Sequence, residues 1–131
     1  MSEPTHENSS REFADKAVQL LKEYSQTFRR MIHAAFKLEE ETGQVKANAS
    51  KGMKIDESAR RRLVNRHNIL TQVGQRIFPA ATSFARVVSQ RIEHGKMDDL
   101  VQAELKLRLA EFEGNLFSAQ TAVNTSFPHL Q

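Results

Sequence analysis

Residues 17–38, AVQLLKEYSQTFRRMIHAAFKL, place apolar side chains at Ala17, Leu21, Tyr24, Phe28, Met31, Ala35 and Leu38. The steps alternate between four and three, the period of a helix that lays one stripe against other helices. Val18, Ile32 and Phe36 widen that stripe on one side, so the helix is expected to touch two neighbours instead of a single coiled-coil partner. Upstream, Ser9 and Glu12 have capping-box spacing, in which a hydroxyl and a carboxylate satisfy free N–H groups at a helix start. The helix is expected to begin there, leaving residues 1–8 as a tail. Downstream, Thr42 and Gly43 suit its end, because glycine accepts the left-handed conformation that follows a helix C-terminus.

Residues 43–55, GQVKANASKGMKI, hold two glycines, three lysines and small polar residues, and read as a flexible connection. Asp56 then offers an N-cap for a second helix reaching about Glu93, with a broad apolar face at Leu63, Leu70, Val73, Ile77, Ala80, Ala81, Phe84, Val87, Val88 and Ile92. Pro79 interrupts it. A proline ring lacks the N–H and crowds the preceding turn, at a cost of about 3 kcal/mol in an unbroken helix. The spacing predicts a kink or break near Pro79, eased by Gly74 one turn earlier. Gly95 and Asp98 suit a short antiparallel return.

The third helix steps through Leu105, Leu109, Phe112, Leu116, Ala119 and Val123, ending near Asn124. Its interior Gly114 costs about 1 kcal/mol against alanine and is expected to mark a close helix contact. Leu100, Leu107 and Phe117 fall off the main seam, and Ser126 to Pro128 open a C-terminal tail over 125–131. The fold class is therefore all-α: an elongated, antiparallel, up-down-up three-helix bundle forming one domain over 9–124. Helices of about 28 to 38 residues make a rod on the order of 45 to 55 Å long.

Composition agrees with a packed domain. The 131 residues are 39% hydrophobic and 27% charged, too apolar for a disordered chain. There are no cysteines, which removes disulfides, thiolate ligands and thiol nucleophiles from consideration. The opening MSEPTHENSS lacks the basic start and apolar run of a secretory signal, and no later segment approaches a membrane span. A soluble, cytoplasmic protein is expected. Sequons at Asn8, Asn48 and Asn124 carry no weight in that setting.

No constellation for catalysis, a cofactor or a metal emerges. His33, His67 and His94 are far apart, and the one Glu-x-x-His spacing, Glu3 to His6, falls in the predicted tail. A metal site within a bundle needs such pairs projecting inward. His67 shares a side with Leu63 and Leu70, which suits an imidazole hydrogen-bonded at the bundle margin. The acidic run Glu39 to Glu41 cannot converge on one bond, since consecutive helical residues point apart. Neither a phosphate-binding glycine loop nor a nucleophile elbow is present.

Charge is the informative irregularity. Residues 56–93 hold seven arginines against three acids, whereas residues 97–124 hold five acids against two cations. Lys51, Lys54, Arg60, Arg61, Arg62 and Arg66 collect where the first connection enters the second helix, predicting a basic tip suited to an anionic partner. Glu39 to Glu41 are expected at the same end, reducing its field. Long kinked helices with a basic face look broadly like the BAR-type membrane-binding format, in architecture alone. Nucleic acid is disfavoured, because no aromatics interleave with the basic run and no short recognition helix follows a tight turn.

The expected function is non-enzymatic: a helical protein-interaction module, an adaptor or small subunit that lays helices against partner helices, with a homodimer as one outcome. The alternative is a peripheral binder of anionic, phosphoinositide-bearing membranes that uses the basic tip. The first expectation rests on apolar width left over by a three-helix core. It predicts that Val18, Ile32, Phe36, Phe78 and Phe117 are not all buried within one chain.

Overall fold

The computed structural model describes residues 6–130, with side chains described for 11–130. Three helices account for nearly all of them: α1 (His6–Ser50), α2 (Glu57–His94) and α3 (Asp99–Thr125). They pack as an up-down-up bundle, with the largest interface between the parallel pair α1 and α3. The predicted seams are the ones that meet. Ala17, Leu21, Phe28, Met31, Ala35 and Leu38 of α1 are buried, and so are all six seam residues of α3. On α2, Leu63, Leu70, Ala81, Val88 and Ile92 are buried, while Ala80 and Val87 of the predicted face stay exposed.

The middle of the rod is aromatic. Phe28 and Phe112, both fully buried, lie 5.5 Å apart between centroids, and Tyr24 stands edge-on to Phe112 at 5.7 Å. Phe84 of α2 closes on Tyr24 at 5.9 Å, and Phe78 closes on Phe28 at 6.3 Å. Such offset and edge-on pairs add to the area they bury, so this layer ties the three helices together.

Several predicted boundaries move. Residues 6–8 already belong to α1, so Ser9 lies inside the helix and does not start it; residues 1–5 of the predicted tail lie outside the described residues. At the other end α1 runs through Gly43 to Ser50, where a flexible connection was expected. One exposed glycine costs only about 1 kcal/mol, and Gln44 to Ala49 continue the helix readily. Thr42 is buried, and its hydroxyl donates to the Leu38 carbonyl at 2.8 Å. The true stop is Gly52, at φ +87°, with Gly52 N–H donating to Ala49 O and Met53 N–H reaching back to Asn48 O. That is a Schellman closure, which requires the left-handed conformation at the glycine. With 45 residues, α1 is about 67 Å long at 1.5 Å per residue, longer than the expected rod.

α2 is one helix that passes through Pro79. The proline ring is on the solvent side, and the Thr82 hydroxyl donates to the Phe78 carbonyl at 2.9 Å. Gly74 has a packing role here: a Cβ at that position would lie 2.7 Å from Phe78 Cε2. Asp56 caps α2 as expected, accepting from Ser58 N–H at 3.0 Å, an interaction of about 1 kcal/mol. Asp98 takes the equivalent place before α3 without a side-chain capping bond.

The C-terminal residues fold back. Ser126 and Pro128 are buried, and Ser126 Oγ donates to Val123 O at 2.8 Å. Past the level where Thr125 hydrogen-bonds Glu39 (3.3 Å), α1 and α2 continue as a helical pair without α3 beside them. The basic tip sits on that extension.

Candidate functional site

Two surfaces stand out, one predicted from charge and the other assembled by the fold. At the tip, the six predicted cations divide. Arg66 reaches across to Glu41 on α1, and Arg60 pairs with Glu57 one turn away at 3.5 Å. Both are half-buried, and Arg60 Nε is buried without a hydrogen-bond partner. Lys51, Lys54, Arg61 and Arg62 are exposed and take part in no ion pair among the described residues. Met53, between the two lysines in sequence, is 60% exposed. Arg61, Arg62 and Arg66 also line an open groove with Ser58, Asn65 and Ile69. Of the predicted acids, Glu41 pairs with Arg66, and neither Glu39 nor Glu40 forms an ion pair with the four exposed cations among the described residues.

The second surface is the outer side of α3. Leu100, Ala103, Leu107, Ala110, Gly114 and Phe117 recur at steps of three and four, and every one is exposed. Leu100 is 80% exposed, Leu107 60% and Phe117 70%. α3 therefore carries two heptad stripes, one in the core and one facing solvent, and it is apolar on opposite sides. The sequence showed the three large residues off the main seam. Ala103 and Ala110, which with Gly114 complete the stripe, stand out only once the core-facing side of the helix is fixed. Gly114 was expected at a helix contact, but nothing lies within 4 Å of a Cβ built there. A glycine that weakens the helix thus makes no compensating contact within the chain.

The remaining off-seam residues divide as the interaction expectation required. Val18, Ile32 and Phe78 are half-buried against the core, while Phe36 is 60% exposed and Phe117 stays outside. Acids flank the α3 stripe. Glu104 and Glu111 lie on the α1 side, near Lys22 and Arg29, with Arg108 3.7 Å from Glu111. Asp99, Lys106 and Glu113 follow the heptad on the α2 side.

His67 completes a small polar joint between α2 and the C-terminal segment. Its Nδ1 lies 3.1 Å from Ser126 Oγ, and its Nε2 lies 3.3 Å from Thr71 Oγ1. Because Ser126 donates to Val123 O, its oxygen accepts from Nδ1–H of His67, and in the neutral ring Nε2 then accepts from the Thr71 hydroxyl. Phe127 stands edge-on to it at 5.2 Å. Burial lowers the His67 pKa below its ordinary 6.5, and the charge of His129 acts in the same direction.

Among the described residues no group of three or more His, Asp or Glu side chains is arranged to hold a metal, and no helix is long and apolar enough to cross a membrane. Compared with protein-family models, curated proteins and solved structures, the chain matches none at a significant level.

Proposed function

We propose that this chain is a non-enzymatic helical interaction module, of the adaptor or small-subunit kind, and that the outer face of α3 is where a partner helix lies. The observation that carries this is the continuous exposed stripe from Leu100 to Phe117. Exposed apolar residues scattered singly are normal, whereas a rimmed, contiguous patch marks an interaction site. The helix-on-helix mode follows from the period, since anchors at steps of three and four are read by another helix. The test compares cross-linking mass spectrometry on the native protein and on Leu107→Glu/Phe117→Glu, in cells that express it. Cross-links from Lys106 to a second copy of the chain or to another polypeptide should vanish in the variant while helicity is retained; an unchanged set of such links rejects the α3 face.

A second reading is favoured by the tip. Two exposed lysines and an exposed methionine in the connection, followed by two exposed arginines at the start of α2, have the composition of a surface that rests on an anionic membrane. Salt-sensitive sedimentation with phosphatidylserine or phosphoinositide vesicles, lost in Arg61→Glu/Arg62→Glu, supports it. Equal sedimentation of that variant removes it.

A further inference from the structure

We infer that the partner helix on the outer face of α3 is α3 of a second copy of this chain, packed antiparallel about a two-fold axis near residues 108 and 109. The inference rests on α3 being an interaction face and names its occupant. Laid against its own reverse, the stripe pairs Leu100 with Phe117, Ala103 with Gly114, and Leu107 with Ala110. In the four inner layers no large side chain meets another, so the backbones can approach closely there, and the bulky Leu100–Phe117 layers close both ends. Gly114, where an added Cβ would meet open space, then faces Ala103 of the other copy. Its helix penalty acquires a cause.

Charge fits the same register. In an antiparallel helix pair, flanking residues meet their like-positioned counterparts. On the α2 side this sets Lys106 of each copy beside Glu113 of the other. Both are exposed and take part in no ion pair among the described residues. On the α1 side Glu104 approaches Glu111, a like-charge meeting softened by Arg108, which already holds Glu111, and by Lys22 and Arg29 in the same grooves. A parallel pairing would instead stack Leu100 on Leu100 and Gly114 on Gly114, leaving a gap at the glycine layer. The seam covers about 25 Å of helix, and one helix pair of that length falls among the smaller interfaces, with association expected around the micromolar range.

The chain has no cysteines, which makes disulfide mapping clean. Light scattering from low to hundreds of micromolar should show the mass rising from 14.9 kDa toward twice that value. Leu107→Glu should weaken association more than about tenfold with an unchanged circular dichroism spectrum. Lys106→Glu should weaken it, and Lys106→Glu/Glu113→Lys should restore it. Under oxidation, a mixture of Ala103→Cys and Gly114→Cys proteins should cross-link, while neither does so alone. Self-cross-linking of Ala103→Cys as efficient as that of the mixture overturns the antiparallel register. A monomeric mass at hundreds of micromolar overturns self-pairing altogether, and the cross-linking comparison with Leu107→Glu/Phe117→Glu then separately decides whether the face serves another protein.

Discussion

His67 Nδ1 and Ser126 Oγ lie 3.1 Å apart, joining the middle of the chain to its C-terminal segment through a buried hydroxyl and a neutral imidazole. The folded state holds this ring with a lowered pKa, so between the folded and the ordinary value the unfolded chain binds the extra proton. The stability that His67 contributes is therefore complete above about pH 6.5 and is lost as pH falls through the folded pKa. Thermal unfolding at pH 7.5 and pH 5.5 should show a larger acid-side drop for the native chain than for His67→Gln. Parallel curves would remove His67 from the acid response.

The glycines of α2 and α3 should respond in opposite directions. Gly74→Ala places a Cβ 2.7 Å from the Phe78 ring, and moving that ring disturbs the aromatic layer, so a loss of about 1 to 2 kcal/mol is expected. Gly114→Ala meets open space and should stabilise the isolated chain by about 0.5 to 1 kcal/mol. Urea melts of the dilute monomer measure both changes, and the same sign for both would contradict this account.

Phe112→Ala should be the costliest single truncation. Its ring is fully buried and meets Tyr24, Phe28 and Phe84, so about 3 to 5 kcal/mol is at stake. The corresponding loss for Phe36→Ala, whose ring is mostly in solvent, should stay near or below about 0.5 kcal/mol. Chemical denaturation distinguishes the two readily.

The ion pair of Arg66 with Glu41 should count for little. Their side chains are 35% and 47% exposed, and a solvent-screened pair of this kind contributes less than about 1 kcal/mol. A double-mutant cycle with Arg66→Ala and Glu41→Ala gives the coupling directly, and a value of several kcal/mol would show that the tip is more enclosed than its exposure indicates.

Much of this fold was legible in the sequence because its core is periodic. The heptad steps of α1 and α3 named the buried residues nearly one for one, and Asp56 and Gly95 marked the ends of α2 through local hydrogen bonding. The junction after Gly43 was misjudged, since either of two glycines nine residues apart might stop a helix. Gly52 does so because its φ is +87°, a property that composition does not encode. The basic tip was visible as charge, but its division into paired and free cations depends on which carboxylates lie across the bundle. The outer stripe of α3 was half visible: its large residues stood out, while their alignment with Ala103, Ala110 and Gly114 emerges once the core-facing side is fixed.

α3 stops beside Glu39, whereas α1 runs eleven residues further, to Ser50. Over that last stretch of about 16 Å, two helices lack the third that shields the remainder of the rod. Such a segment has fewer apolar contacts to break, so its amides should exchange with deuterium through local opening, well before the aromatic layer yields. Trypsin should make its first cuts there, after Lys51, Lys54, Arg61 or Arg62, leaving the lower part of the rod folded. The same looseness would let the tip adjust its shape to a surface without disturbing the face of α3.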